Sequence, residues 1–231
     1  MNIFIAEIKD NKAVLTEEES WHCARVLRKK AGENIRLIDG KGSFYDATIE
    51  VVNDKKTTAH ISAGPFQQKI RPYTLHLAIA PTKNIDRIEW MIEKAVEIGI
   101  DEISFVQCKN SERTVLKKDR ILKIVESAVK QSLQAFIPKV NELKPLKNFL
   151  SDVTADQKLI AHCFESQRQN IKEISFEGKT TLVLIGPEGD FTEEEVNESK
   201  KHNFRSLSLG ENRLRTETAG LYVCQAASLL S

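Results

Sequence analysis

The strongest constraint on this chain is a strand–glycine turn–helix arrangement that occurs twice near its C-terminus. In the first copy, the apolar, β-branched run Leu182-Val183-Leu184-Ile185 stops at Gly186-Pro187-Glu188-Gly189, and Asp190-Phe191-Thr192 leads into a helix. Thr192 and Glu195 have capping-box spacing, which marks where that helix starts. In the second, Ser206-Leu207-Ser208-Leu209 reads as a short strand and Gly210-Glu211-Asn212-Arg213-Leu214-Arg215 as a turn. Thr216-Glu217-Thr218-Ala219-Gly220 then opens the last helix. Glycines let backbone N–H and C=O groups approach a ligand closely, and ligands of α/β sheets settle beyond the carboxyl ends of the strands. The pair predicts a small-molecule pocket. The alternative is two ordinary strand–helix junctions.

Upstream, strands and helices alternate from residue 73 onward. Leu75-His76-Leu77-Ala78-Ile79-Ala80 is a nearly continuous apolar strand, as expected when both faces are buried. Ile88, Met91, Ile92, Ala95 and Val96 have helical spacing within a helix over 85–98 that ends near Gly99. Strand Ile103–Val106 follows, then a helix marked by Ile121, Ile124, Val125, Ala128 and Ser132 that closes before Pro138. Leu159–Cys163 is a further strand. This pattern predicts an α/β domain over 73–231 with a mainly parallel sheet. Glu89, Glu93 and Glu97 repeat at i,i+4 and read as a solvated acidic face. Asn110-Ser111-Glu112-Arg113-Thr114 is a polar loop after a strand end, placed to reach a substrate.

The first part, residues 1–70, reads as short strands with one helix. Ile3–Ile5, Ala13–Leu15, Ile35–Asp39, Phe44–Val51 and Thr57–Ile61 are strand-like, which suggests a small β-barrel. Thr16 with Glu19 predicts a second capping box and a helix from 17 to about 30. Gly40-Lys41-Gly42 is a hairpin turn; no helix follows it, so no helix N-terminus is available for a pyrophosphate. The alternation is lost over 66–73, where a domain boundary is expected. Near the end of the helix, Arg25, Arg28, Lys29 and Lys30 form a basic cluster. It reads either as cations suited to the helix dipole or as a phosphate-contacting patch.

Composition removes several classes. Net charge is +1, so any nucleic-acid contact must be local. No apolar run approaches the ~20 residues of a membrane span, and residues 1–7 lack the basic region and long apolar core of a signal peptide, so a cytoplasmic location is expected. Cys23, Cys108, Cys163 and Cys224 form no CxxC pair and the five histidines show no ligand spacing, so no metal is expected. GxSxG, P-loop and HExxH motifs are absent, as is a Gly-rich first βα turn. What remains is a ligand held by backbone loops at two late strand ends, with Arg213, Arg215 and Glu217 beside it.

At these two loops the chain resembles the SPOUT methyltransferases: Ile185-Gly186-Pro187-Glu188-Gly189-Asp190-Phe191 and Leu209-Gly210-Glu211-Asn212-Arg213-Leu214-Arg215-Thr216-Glu217-Thr218-Ala219 look like that superfamily's two signature loops. Over its whole length it is similar to the RsmE family, with further agreement at His22–Arg28, Glu93–Gly99, Ser111-Glu112-Arg113 and Lys130-Gln131-Ser132. The family commonly has a second glycine where Asp190 stands. The resemblance implies a small N-terminal PUA-like β-barrel and a C-terminal trefoil-knotted domain. It also implies a homodimer in the cytoplasm, with S-adenosylmethionine as cofactor and methylation of N3 of one uridine in the 16S rRNA of the small ribosomal subunit. A related knotted enzyme acting on another rRNA or tRNA base, and a non-catalytic RNA-binding assembly protein, are the alternatives. Cofactor contacts are expected from Ile185, Gly186, Pro187, Glu188, Gly189, Leu207, Ser208, Leu209, Gly210, Leu214 and Thr218. Arg215 is expected to face the uracil, with Glu217 as a proton acceptor or a cap of its own helix. Arg25, Arg28, Lys29 and Lys30 are expected to hold RNA phosphates, and Lys83, Arg87 and Arg113 to lie nearer the target base.

Overall fold

The structure, a computed structural model, describes residues 2–164 and 167–231. Its contacts divide it into two compact units: Met1–Ile70 with Val129–Ile137, and Arg71–Ala128 with Pro138–Ser231.

The first unit is a barrel. Its elements are β1 (Ile3–Lys9), β2 (Lys12–Leu15), α1 (Glu17–Trp21), β3 (Asn34–Ile38), β4 (Ser43–Val51) and β5 (Thr58–Gln67). The strand order is β1-β2-β5-β4-β3, and a parallel pairing of β1 with β3 closes the ring. Alternate side chains point inward, and Phe4, Leu15, Leu37 and Ile49 fill the interior. Residues 135–137 lie against the turn after β3: the Gly42 N–H donates to the Ala135 carbonyl (3.0 Å), and the Ile137 N–H to that of Gly40 (3.0 Å).

Three sequence expectations change in this unit. The helix does not run to residue 30. It passes into one π-helical turn, His22–Val26, and stops because Arg28 takes a left-handed conformation (φ 51°) that no right-handed helix can continue. Only Arg25 therefore sits in the last turn; Arg28, Lys29 and Lys30 lie in the exit loop. The capping box is half made: Thr16 Oγ1 accepts from the Glu19 N–H (3.3 Å), but the buried Glu19 carboxylate turns inward to the Lys130 ammonium instead of back to the cap. Strand β5 also continues to Gln67, pairing Phe66 with Phe44, although its outer residues do not alternate.

The second unit is a seven-stranded sheet. Its elements are β6 (Thr74–Ile79), α2 (Ile85–Ile98), β7 (Glu102–Gln107), α3 (Lys118–Gln131), β8 (Lys139–Pro145), α4 (Leu146–Asp152), β9 (Gln157–Ala161), β10 (Gln169–Asn170), β11 (Thr180–Ile185), α5 (Glu193–Lys201), β12 (Phe204–Ser208) and α6 (Thr216–Leu229). The strand order is β10-β12-β9-β11-β6-β7-β8, and every pairing is parallel. The central strands are buried along their length, as parallel strands with both faces covered must be. β8 and α4 escape the sequence reading because Lys-Val-Asn-Glu-Leu-Lys-Pro is a polar edge strand and the helix after it is short.

Candidate active site

The sheet order decides what stands at the two glycine loops. β11 and β12 are not neighbours; β9 lies between them. The three carboxyl ends, at Ala161, Ile185 and Ser208, therefore surround one place, and a cleft of about 700 Å³ opens there. That volume lies within the usual range for small-molecule sites, ~300–1,000 Å³.

The cleft walls are stitched together by hydrogen bonds. Thr216 Oγ1, at the first position of α6, donates to the Gly186 carbonyl (3.0 Å) and ties the second loop to the first. The Lys83 N–H donates to Glu188 Oε1 (2.9 Å). Asn110 Nδ2 donates to the carbonyls of Gly189 (3.1 Å) and Asp190 (3.0 Å). Asp190 takes φ 62°, a left-handed conformation that favours glycine and that aspartate tolerates. Its carboxylate then does what glycine cannot: Oδ2 accepts from the Cys163 N–H (2.8 Å), pulling the end of β9 against the β11 loop. Behind these loops the capping box of α5 is complete, with Thr192 and Glu195 bonded to each other's N–H groups.

Ile185, Gly186, Pro187, Glu188, Leu207, Leu209, Gly210, Leu214, Arg215, Glu217 and Arg87 all line the cleft. Gly189, Ser208 and Thr218 do not; the Gly189 carbonyl is taken by Asn110, Ser208 Oγ sits 3.4 Å from the Gly210 nitrogen, and Thr218 is exposed on α6. Arg215 is exposed at the mouth, and among the described residues no ion pair or side-chain hydrogen bond engages it. Glu217 is buried, 3.6 Å from the Arg87 guanidinium.

The remaining cations are mostly engaged. Arg113 donates through Nε to the Thr82 carbonyl (3.0 Å) and through Nη2 to that of Lys83 (2.6 Å), so it clasps the loop after β6. Lys83 Nζ pairs with Glu112 at 2.9 Å. In the barrel unit, Arg25 pairs with Asp54 (2.6 Å) and Lys29 with Glu33 (2.8 Å), and these contacts hold both carboxyls below their ordinary pKa. The Lys30 N–H also binds Glu33 (2.8 Å).

The sequence reading missed the third wall. His162, Cys163 and Arg168 line the cleft from the end of β9. The His162 Nε2 lies 2.9 Å from Ser206 Oγ, while among the described residues its buried Nδ1 has no hydrogen-bond partner. Burial holds this imidazole below its ordinary pKa, against the opposing pull of Asp190. Arg168 Nη1 donates to the His162 carbonyl (2.7 Å). Only the placement of β9 between β11 and β12 identifies these residues, and no spacing in the sequence shows it.

Comparison with known proteins agrees with this geometry. A family model for an RNA methyltransferase domain matches residues 69–228, and one for an RNA methyltransferase PUA domain matches residues 15–62. The ribosomal RNA small subunit methyltransferase E of Mesomycoplasma hyopneumoniae is 36% identical over 226 residues, covering 95% of each chain.

The chain belongs to the ribosomal RNA small subunit methyltransferase E family.

A crystal structure from Porphyromonas gingivalis is 40% identical with a TM-score of 0.85, covering 97% of this chain and 96% of its own. The methyltransferase E of Neisseria gonorrhoeae, crystallised bound to S-adenosylmethionine, is 27% identical with a TM-score of 0.83, covering 98% of this chain and 96% of its own. The expected barrel and the parallel sheet of this family's fold are thus both present. Among the described residues, no group of three or more His, Cys, Asp or Glu is placed to hold a metal ion, and no helix is long and apolar enough to cross a membrane.

Proposed function

We propose that this protein methylates N3 of one uridine in 16S rRNA of the small ribosomal subunit, using S-adenosylmethionine. The observation that carries the reading is the single cleft at the ends of β9, β11 and β12, in a chain of this family. The cleft fits the cofactor on its own chemistry. It offers main-chain polar groups at 185–188, 207, 209 and 210, apolar walls at Leu209 and Leu214, and on buried His162 a nitrogen, unpaired among the described residues, that a polar ligand atom would satisfy. When bound, the cofactor supplies an electrophilic methyl group on a sulfonium.

The residues of the chain then do three things. The glycine loops and the β9 end hold the methyl donor in one orientation and exclude water from it. Arg215, free at the mouth, stabilises the negative charge that spreads over O2 and O4 of uracil as N3 loses its proton. Glu217, the one buried carboxylate among the described cleft residues, takes that proton or orders the water that does, and Arg87 holds it at the cleft. N3 forms the new bond to the methyl carbon while the sulfonium bond breaks.

A trefoil knot in the second unit belongs to the same reading. Its support is that β12 enters on the far side of β9 from β11, and α6 then returns to contact β6 and β11. A homodimer and cytoplasmic work on rRNA belong to it too; exposed Tyr222 and Leu229 on α6 supply an apolar face for a second copy, testable by light scattering. The experiment for the main reading is transfer of labelled methyl from S-adenosylmethionine to 16S rRNA, with the product mapped by mass spectrometry. One uridine methylated on N3 is expected. A modified cytidine or adenosine, or no transfer to any ribosomal substrate, overturns it.

A further inference from the structure

Two charged side chains on one wall of the cleft grip the same peptide group. Asp190 Oδ2 accepts from the Cys163 N–H (2.8 Å), and Arg168 Nη1 donates to the His162 carbonyl (2.7 Å). That N–H and that carbonyl belong to one peptide just past β9, and in a trans peptide they point opposite ways. The carboxylate and the guanidinium therefore stand on its two edges, roughly 7 Å apart by peptide and hydrogen-bond dimensions. Asp190 Oδ1 also accepts from the Phe191 N–H (2.8 Å), so the carboxylate is pinned. Both residues line the cleft, and among the described residues neither enters an ion pair. Burial and Asp190 raise the pKa of the Cys163 thiol while Arg213 and Arg168 oppose the rise, so both signs of charge act at this spot.

Holding the end of β9 accounts for one bond of each group, not for two opposite charges left unpaired on the wall of a ligand cleft. A phosphate drawn to Arg168 would be repelled by Asp190, and a simple cation the reverse. A zwitterion suits both. The ammonium and carboxylate of an α-amino acid lie about 3 Å apart, so with a ~2.8 Å hydrogen bond at each end they span roughly 8 Å, enough to bridge the pair. S-adenosylmethionine carries that group at its methionine end. We infer that Arg168 and Asp190 hold the amino-acid end of the cofactor, the guanidinium on its carboxylate and the Asp190 carboxylate on its ammonium. The inference rests on the methyltransferase reading and orients the cofactor within it. The amino-acid end lies against β9, and the adenine lies towards Leu209 and Leu214.

The test is calorimetric binding to the full-length protein, with no methyl transfer involved, using the variants Arg168→Gln and Asp190→Asn. Glutamine removes the charge at 168 but keeps N–H donors for the His162 carbonyl; asparagine removes the charge at 190 and tolerates the left-handed backbone. Three ligands are titrated: S-adenosylmethionine, its decarboxylated form, and 5′-methylthioadenosine, which lacks the amino-acid end. Each variant should raise the Kd for S-adenosylmethionine about tenfold, the scale of one charge-assisted hydrogen bond, and leave that for methylthioadenosine unchanged. With the decarboxylated form, only Asp190→Asn should weaken binding. Unchanged S-adenosylmethionine affinity in either variant overturns the inference. So does a matched loss for methylthioadenosine, which would make the residue a prop for the end of β9, and so does equal weakening of the decarboxylated form by Arg168→Gln. A wild-type protein that binds no S-adenosylmethionine fails the functional reading instead, and that result appears before any variant is made.

Discussion

Two glycine turns in this chain use the absent side chain in opposite ways. At Gly42 the chain fills the space itself: a Cβ there would lie 2.2 Å from the Phe136 ring, so the glycine exists to let residues 135–137 lie on the hairpin. At Gly210 a Cβ would meet nothing within 4 Å, and the empty space opens on the cleft. The contrast extends to other groups. Arg25 and Arg113 have partners; Arg215 has none among the described residues. At Gly42, Arg25 and Arg113 the void and the polar groups are satisfied from within. Where the protein binds, they are left for a ligand.

The largest expected effect lies at the open end of that contrast. Arg215→Ala should slow methyl transfer by about 10³-fold, the scale of removing a donor aimed at developing negative charge, with cofactor affinity nearly intact. Single-turnover rates beside calorimetric cofactor titration measure both, and an equal loss in both would place Arg215 in the cofactor site instead. Next comes the filled turn. Gly42→Ala combines an overlap with Phe136 and a φ of 107°, and should cost about 4 kcal/mol in urea unfolding. Gly210→Ala carries the strain of φ 125° without an overlap, so it should cost about 2 kcal/mol while weakening cofactor binding. Equal stability losses would erase the distinction between the two turns.

Much of this contrast can be read from the sequence and some of it cannot. The apolar run 182–185, its stop at Gly186 and the Thr192–Glu195 cap are local signals, and the structure reproduces each. The end of the helix after Thr16 is not legible in the sequence, because it depends on backbone geometry at Arg28, which no composition rule marks. Glu19 has capping-box spacing, yet Lys130, more than a hundred positions away, takes its carboxylate. Arg113, expected near the target base, donates through Nε and Nη2 to two carbonyls of the loop after β6, contacts that no spacing in the sequence marks. His162, Cys163 and Arg168 enter the site only through strand order, which is a property of the whole sheet.

The next two predictions concern satisfied groups. Burial holds His76 at a pKa of about 4, down from 6.5, against the opposing pull of Glu102. The unfolded chain therefore takes up a proton first as pH falls. Stability from this group is complete above pH 6.5, declines between 6.5 and about 4 by roughly 3 kcal/mol, and levels off below. Unfolding curves across that window should show the decline in wild type and lose most of it in His76→Asn. The smallest effect is at the cap behind the cleft: Thr192→Ala should cost about 1 kcal/mol, read as a shift in the urea midpoint at constant slope. A cap loss that also weakens cofactor binding would mean that the helix start and the open loop are one unit.

A single S-adenosylmethionine molecule is expected to occupy the ends of β9, β11 and β12 together. A crystal structure of this protein soaked with the cofactor decides it. Density touching the main chain at both 186–188 and 207–210, with a polar atom within hydrogen-bonding reach of His162 Nδ1, is the predicted result. Cofactor bound at only one loop, or elsewhere in the molecule with the cleft unfilled, would contradict it.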